Sequence, residues 1–285
     1  MKLAMDTLVM IIAYFLTGFL GGFIGSMTGL GGASIATPIL STILGVPLRL
    51  SIATSFATIT ANSIASSARY ILEGLTSIRL GILIALPALL GVVVGVYTNI
   101  SLDIRIIYIL YGLTTISLII LGHLKTWFGR VFRIEGISIK RLDLFIVRGD
   151  YIDRSENRNI HFEAHNYIPA IPLMMLSGFI GGLFGIGGGV VNVITMEMVM
   201  GVPIKVAVAT STYVIGYISS VGSILYWKKG FLSMVIASLM IPGMILGSTL
   251  GSSLMPRMRS QYVRILFEAV ALFLAFRMLL EGLSH

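Results

Sequence analysis

The sequence predicts an all-α integral membrane protein of two homologous halves, each with about four transmembrane helices, the first helix of each half broken or re-entrant at a glycine-rich motif. Composition is the first reason: of 285 residues, 56% are hydrophobic and 11% charged, with a mean hydropathy of +0.96, whereas soluble domains carry about 25% charge. Second, the apolar runs reach the roughly 18 residues that a membrane helix needs, where barrel strands would alternate over roughly 10. Third, one offset of 156 residues superimposes Gly22–Gly74 on Gly178–Gly230 without a gap, with 18 of the 53 pairs identical. The chain reads as a duplication.

Composition also excludes classes. Cysteine is absent, which removes disulfides, thiolate metal sites and cysteine catalysis. The net charge of +8 sits at the ends of apolar runs, as positive-inside charges do, so no nucleic-acid partner is expected. The first apolar run has no small-residue cleavage site followed by a soluble domain and is expected to be a retained helix. His123, His161, His165 and His285 all lie in polar segments or at the terminus. No catalytic constellation, cofactor or metal site is expected.

In chain order, residues 1–121 form the first membrane repeat. Thr7–Ile24 is apolar, breaks at the glycines and resumes over Ser34–Leu44; as one helix this would span roughly 57 Å, nearly twice the hydrocarbon core. Gly45-Val46-Pro47 follows, then runs over Leu48–Leu72, Ile78–Tyr97 and Ile104–Leu121. Residues 122–167 form a polar linker, with eight Lys or Arg and six Asp or Glu, expected to face the cytoplasm. Alternation over Phe132–Glu135 and Ile137–Lys140 points to a short hairpin. The second repeat, 168–285, runs over Ile168–Phe184, the second break, Val190–Met200, Ile204–Trp227, Phe231–Leu254 and Tyr262–Leu280.

Pro47 and Pro203 open helices, where a missing N–H costs least. Gly91 with Gly95, and Gly247 with Gly251, are spaced for close helix packing. Parallel and inverted arrangements of the repeats both remain open at this level.

The breaks carry the functional reading. They read Gly25-Ser26-Met27-Thr28-Gly29-Leu30-Gly31-Gly32-Ala33 and Gly181-Gly182-Leu183-Phe184-Gly185-Ile186-Gly187-Gly188-Gly189. An interrupted helix in hydrocarbon leaves backbone groups unpaired, at a cost of several kcal/mol each unless something polar satisfies them. The short helices beginning near Ala33 and Gly189 would aim N–H groups at the gap, which suits an anion. Matched interruptions in two halves point to a transporter site between them. Nearby candidates for binding are Thr28, Asn192 and Asn62, with Thr54, Ser55, Thr210 and Ser211 of the two Ala-Thr-Ser triplets; the plainer role of these hydroxyls is to bond helix carbonyls. Glu197 and Glu268 are candidates for proton coupling, although Arg264 precedes Glu268 by one helical turn. Arg49 and Lys205 follow Gly-Val-Pro in both halves and are candidates for gathering anions at the entrance, or for interfacial snorkelling.

The paired Gly-x-Gly-Gly breaks, each followed by Gly-Val-Pro and Ala-Thr-Ser, with a polar linker between two four-segment halves, resemble the sulfite exporter family of TauE/SafE type. The resemblance covers the apolar chain outside Gly122–Asn166. It places the family motif on Gly29, Gly31, Gly32, Gly185, Gly187 and Gly188, with Pro47, Pro203 and both triplets. Ala33 stands where the second copy has Gly189. The resemblance implies a secondary transporter, expected to export small sulfur-containing anions such as sulfite, thiosulfate or organosulfonates across the cell membrane. Protons are the expected coupling ion and the lipid bilayer the surroundings. Transport of another small anion, such as a carboxylate, or an intramembrane enzyme are the alternatives. Gly188→Val is expected to abolish transport in a protein that still folds.

Overall fold

In the computed structural model, residues 2–29, 31–131, 146–153, 158–257, 272–273 and 275–283 are described. Glu268, Arg264 and the hairpin expected over 132–140 lie outside them. Helix α1 (Lys2–Thr28) ends at the first break, and α2 (Ala33–Pro38) continues into a π-helical turn, Ile39–Ile43. Helices α3 (Leu48–Leu72), α4 (Ile78–Ser101) and α5 (Ile104–Val131) follow. After β1 (Val147–Asp153) and β2 (Arg158–Ala164) come α6 (Tyr167–Phe184), the second break, and α7 (Gly189–Ile194) with its own π-helical turn, Thr195–Val199. Helices α8 (Ile204–Lys228) and α9 (Met234–Leu254) are followed by further helical residues at 275–283.

Five helices among the described residues are long and apolar enough to cross a membrane: Leu8–Thr28, Ile78–Ser101, Tyr167–Phe184, Ile204–Lys228 and Met234–Arg257. Their outer faces are greasy, with Leu86, Leu90 and Val94 of α4 exposed at 60%, 62% and 57%. Asn62, Asn99, Asn192, Ser63 and Ser66 are buried instead, as suits a lipid-facing exterior. The chain is a multi-pass membrane protein.

Each half reaches into the other. Helix α1 lies along α9, and α4 along α6, in each case in the same direction and with glycines at the seam. A β-carbon on Gly22 would overlap the Met244 carbonyl, and one on Gly178 would overlap that of Ala88. Conversely, Gly251 lies on the Phe23 carbonyl and Gly95 on that of Phe179. At the centre α3 and α8 run antiparallel: Phe56 packs on Gly222, Thr60 bonds Ser219 at 3.0 Å, and the Ser63 hydroxyl donates to the Thr212 carbonyl at 2.6 Å.

The segment between the halves differs from the expectation in two ways. Helix α5 carries ten residues of the polar stretch, to Val131, because nothing in Gly122–Val131 breaks a helix. The two-stranded antiparallel sheet, an addition to the all-helical reading, lies at 147–164 and pairs Val147 with Ala164 and Tyr151 with Ile160. Its alternation is the physical cause: Val147, Tyr151, Phe162 and Ala164 are buried while Arg148, Asp150, His161 and Glu163 face out. The outward face is paired across the strands, Arg148 with Glu163 at 2.7 Å and His161 with Asp150. The sheet docks on the turn before α8. The His165 N–H donates to the Met200 carbonyl at 3.1 Å, and the Asn166 amide to the Val199 carbonyl at 3.0 Å.

Candidate functional site

Both breaks turn on residues with positive φ: Gly29, Gly31 and Gly32 at 72°, 86° and 79°, and Gly185, Gly187 and Gly188 at 71°, 73° and 68°. Only glycine takes this left-handed backbone at little cost. In the first break these three glycines reverse the chain, so that α2 returns beside α1: Gly32 abuts Gly21, and Ala36 and Leu40 pack with Tyr14.

Ending a helix at Thr28 and at Phe184 orphans the carbonyls of the preceding turn. Two tyrosines supply the missing donors. The Tyr70 hydroxyl donates to the Ser26 carbonyl and the Tyr226 hydroxyl to the Gly182 carbonyl, both at 2.7 Å. In addition, the Asn99 amide donates to the Leu183 carbonyl at 2.6 Å. The two tyrosines are identical across the 156-residue offset, a signal that could have singled them out.

The breaks converge. A β-carbon on Gly31 would stand 3.4 Å from the Ile186 carbonyl oxygen and 3.3 Å from Ile215 Cγ2, and one on Gly187 would stand 2.8 Å from the same Cγ2. Gly29 lies on Val208 of α8 and Gly185 on Ile52 of α3, at 2.9 and 2.8 Å from their carbonyl oxygens by the same measure. The Ser211 hydroxyl ties the two together, donating to the Gly29 carbonyl at 2.9 Å with the Gly189 carbonyl 3.4 Å away.

Buried polar side chains with no protein partner include Ser34 of α2, Ser55 and Asn62 of α3, and Asn192 of α7. Both ends of each asparagine amide are unpaired, and both residues are fully buried. Asn192 sits one turn into α7, its N–H bonded to the Gly188 carbonyl at 3.1 Å. Asn62 adjoins Ser63, which packs on Gly216, the neighbour of Ile215.

The other candidates have partners within the protein. Thr54 accepts the Ser233 N–H at 3.3 Å and Thr210 the Ser77 N–H at 3.1 Å, so each threonine holds the start of a helix in the opposite half. Thr28 donates to the Ile24 carbonyl at 2.9 Å, the local bond that helix hydroxyls favour. Arg49 donates to the carbonyls of Asn99 and Leu102 at the end of α4 and lies 5.8 Å from the centre of the Phe231 ring. Lys205 donates to the Pro256 carbonyl at 3.3 Å, beyond the end of α9. Cations at helix C-termini satisfy orphan carbonyls and oppose the dipole. Glu197 lies in the second π-helical turn, partly buried. Among the described residues no group of three His, Asp or Glu is placed to hold a metal ion.

Two helix breaks thus meet inside a bundle of membrane-spanning helices. The sequence profile of the sulfite exporter TauE/SafE family matches residues 14–278, and the chain belongs to that family. It is 33% identical over 113 residues to a Bacillus subtilis protein named "Probable membrane transporter protein YunE", covering 40% of this chain and 41% of that one. It is 29% identical over 147 residues to "Probable membrane transporter protein MJ0441" of Methanocaldococcus jannaschii, covering 48% and 53%. The alignments thus span about half the length of these relatives. No solved structure matches.

Proposed function

We propose that the protein is a secondary transporter that exports small sulfur-containing anions, sulfite foremost, binding them where the two glycine breaks meet. The observation that carries this reading is the convergence of both breaks on Ile215, in a bundle that also buries the unpartnered Ser34, Ser55, Asn62 and Asn192. Leaving that many polar atoms buried and unpaired costs several kcal/mol, a cost that a bound polar cargo offsets. Helical segments Ala33–Ile43 and Gly189–Val199 begin at the breaks and add two positive dipole ends. The substrate class comes from family membership and the neutral hydroxyl and amide lining, which permits release as well as binding.

In this reading residues 1–121 and 168–285 are inverted repeats, consistent with the antiparallel α3 and α8, and they rock or gate around the site. Residues 122–167 face the cytoplasm. Proton coupling runs through Glu197. The protein carries its cargo unchanged, without catalysis.

Flux of labelled sulfite, thiosulfate and a short sulfonate into liposomes holding the purified protein, with and without a pH gradient, tests the proposal. Saturable flux of one of them that responds to the gradient is expected. Folded protein that moves none of them would remove the sulfur assignment.

A further inference from the structure

The repeat does not require the amides of Asn62 and Asn192. At the 156-residue offset their counterparts are Ile218 and Ala36, both buried in the same architecture. The fold therefore builds these positions with apolar side chains in one half and with amides in the other. From this we infer that Asn62 and Asn192 determine specificity by reading a hydrogen-bond donor on the cargo itself, so that the site prefers a singly charged oxyanion bearing its own O–H or N–H.

Three observations lead there. Each amide offers two N–H donors and a carbonyl acceptor, and neither end of either has a protein partner. Exchanging the amide oxygen and nitrogen therefore changes nothing. An anion without a donor can satisfy Nδ2 only and sets its lone pairs against Oδ1. An anion with a hydroxyl satisfies both ends, and a site built to bond a hydroxyl discriminates strongly against the analogue that lacks it.

Charge sets the second condition. Along α3 and α8 the charged residues are Arg49, Arg69, Lys205 and Lys228, leaving Leu50–Ala68 and Val206–Trp227 without any. Arg49 and Lys205 are bonded to helix-end carbonyls, and Arg69 pairs with Glu73 at 3.3 Å. Faces of α3 and α8 without fixed positive charge penalise a second negative charge on the cargo steeply. One charge and one donor is the combination this lining accommodates.

The inference rests on the carrier reading above, and its test separates the two. Uptake of labelled sulfite by liposomes containing the full-length protein is competed with 2-hydroxyethanesulfonate, with ethanesulfonate and with sulfate. The two sulfonates share charge and near-equal size and differ by one hydroxyl. The hydroxylated sulfonate is expected to compete at least ten-fold more strongly than ethanesulfonate, and sulfate only weakly. Asn62→Ile and Asn192→Ala, which install the side chains that the repeat already accommodates, are expected to bring the sulfonate ratio towards one, because 2-hydroxyethanesulfonate loses both of its amide bonds and ethanesulfonate only the one to Nδ2. Equal competition by the two sulfonates in the wild-type protein, or a ratio that survives both substitutions, overturns the inference and leaves the carrier standing. Absence of flux for every anion overturns both.

Discussion

The Thr54 hydroxyl accepts the backbone N–H of Ser233 at 3.3 Å, 179 residues away in sequence. Ser233 begins α9 as its N-cap, so a residue of the first half holds the start of a helix in the second, and Thr210 does the same for Ser77. Thr54→Val and Thr210→Val, which keep shape but remove the acceptor, are each expected to lower stability by about 1–2 kcal/mol. The two losses should add, since the sites share no partner. Thermal unfolding in detergent measures this. A raised KM for the transported anion at unchanged melting temperature would instead make the hydroxyls ligands.

The glycines of the breaks are structural before they are functional. Gly188 has φ 68°, and a β-carbon there would overlap the carbonyl and hydroxyl of Ser177. Gly188→Val is therefore expected to prevent folding, by more than about 4 kcal/mol, which revises the expectation of a folded but inactive protein. Gly45 has the same φ of 68° with nothing within 4 Å, so Gly45→Ala should cost only about 1–2 kcal/mol. The yield of monodisperse protein after extraction compares the two.

Arg49 and Lys205 fasten helix ends. Arg49→Met and Lys205→Met are expected to lower stability by about 1.5–3 kcal/mol, the range for hydrogen bonds from charged groups, without changing KM for the anion. Substrate titrations on both variants at low and high salt are the check. A KM that rises and loses its salt dependence would return these residues to an entrance role.

For Glu197, the proposal is confined to coupling. Glu197→Gln is expected to abolish the response of flux to a pH gradient while preserving exchange of anion for anion across the bilayer. Counterflow and gradient-driven uptake, measured on the same liposomes, separate the two activities, and an intact gradient response would remove Glu197 from the mechanism.

Much of this organisation was legible because it is periodic. Apolar runs placed the long helices, and the glycine clusters marked where Thr28 and Phe184 end theirs. Contacts across the halves were not legible, because an offset states which residues are equivalent and not which ones touch. Thr54 and Thr210 read from the sequence as candidate ligand hydroxyls, and their bonds to the N–H groups of Ser233 and Ser77 are visible only in the packed structure. The continuation of α5 to Val131 was hidden by its polar composition, and the strands lay at 147–164 because that is where buried and exposed residues alternate. Asn62 was visible as a polar residue in an apolar run, but its missing partners are a property of the packed interior.

The seams of α1 with α9 and of α4 with α6 also bear on how the chain is made. A ribosome delivers α1 more than two hundred residues before α9, so the glycine faces of α1 and α4 enter the bilayer with no protein partner. Neither half can complete its packing until the other has been inserted. Premature termination after α5 would thus leave the glycine faces of α1 and α4 packed against lipid rather than against the helices they fit.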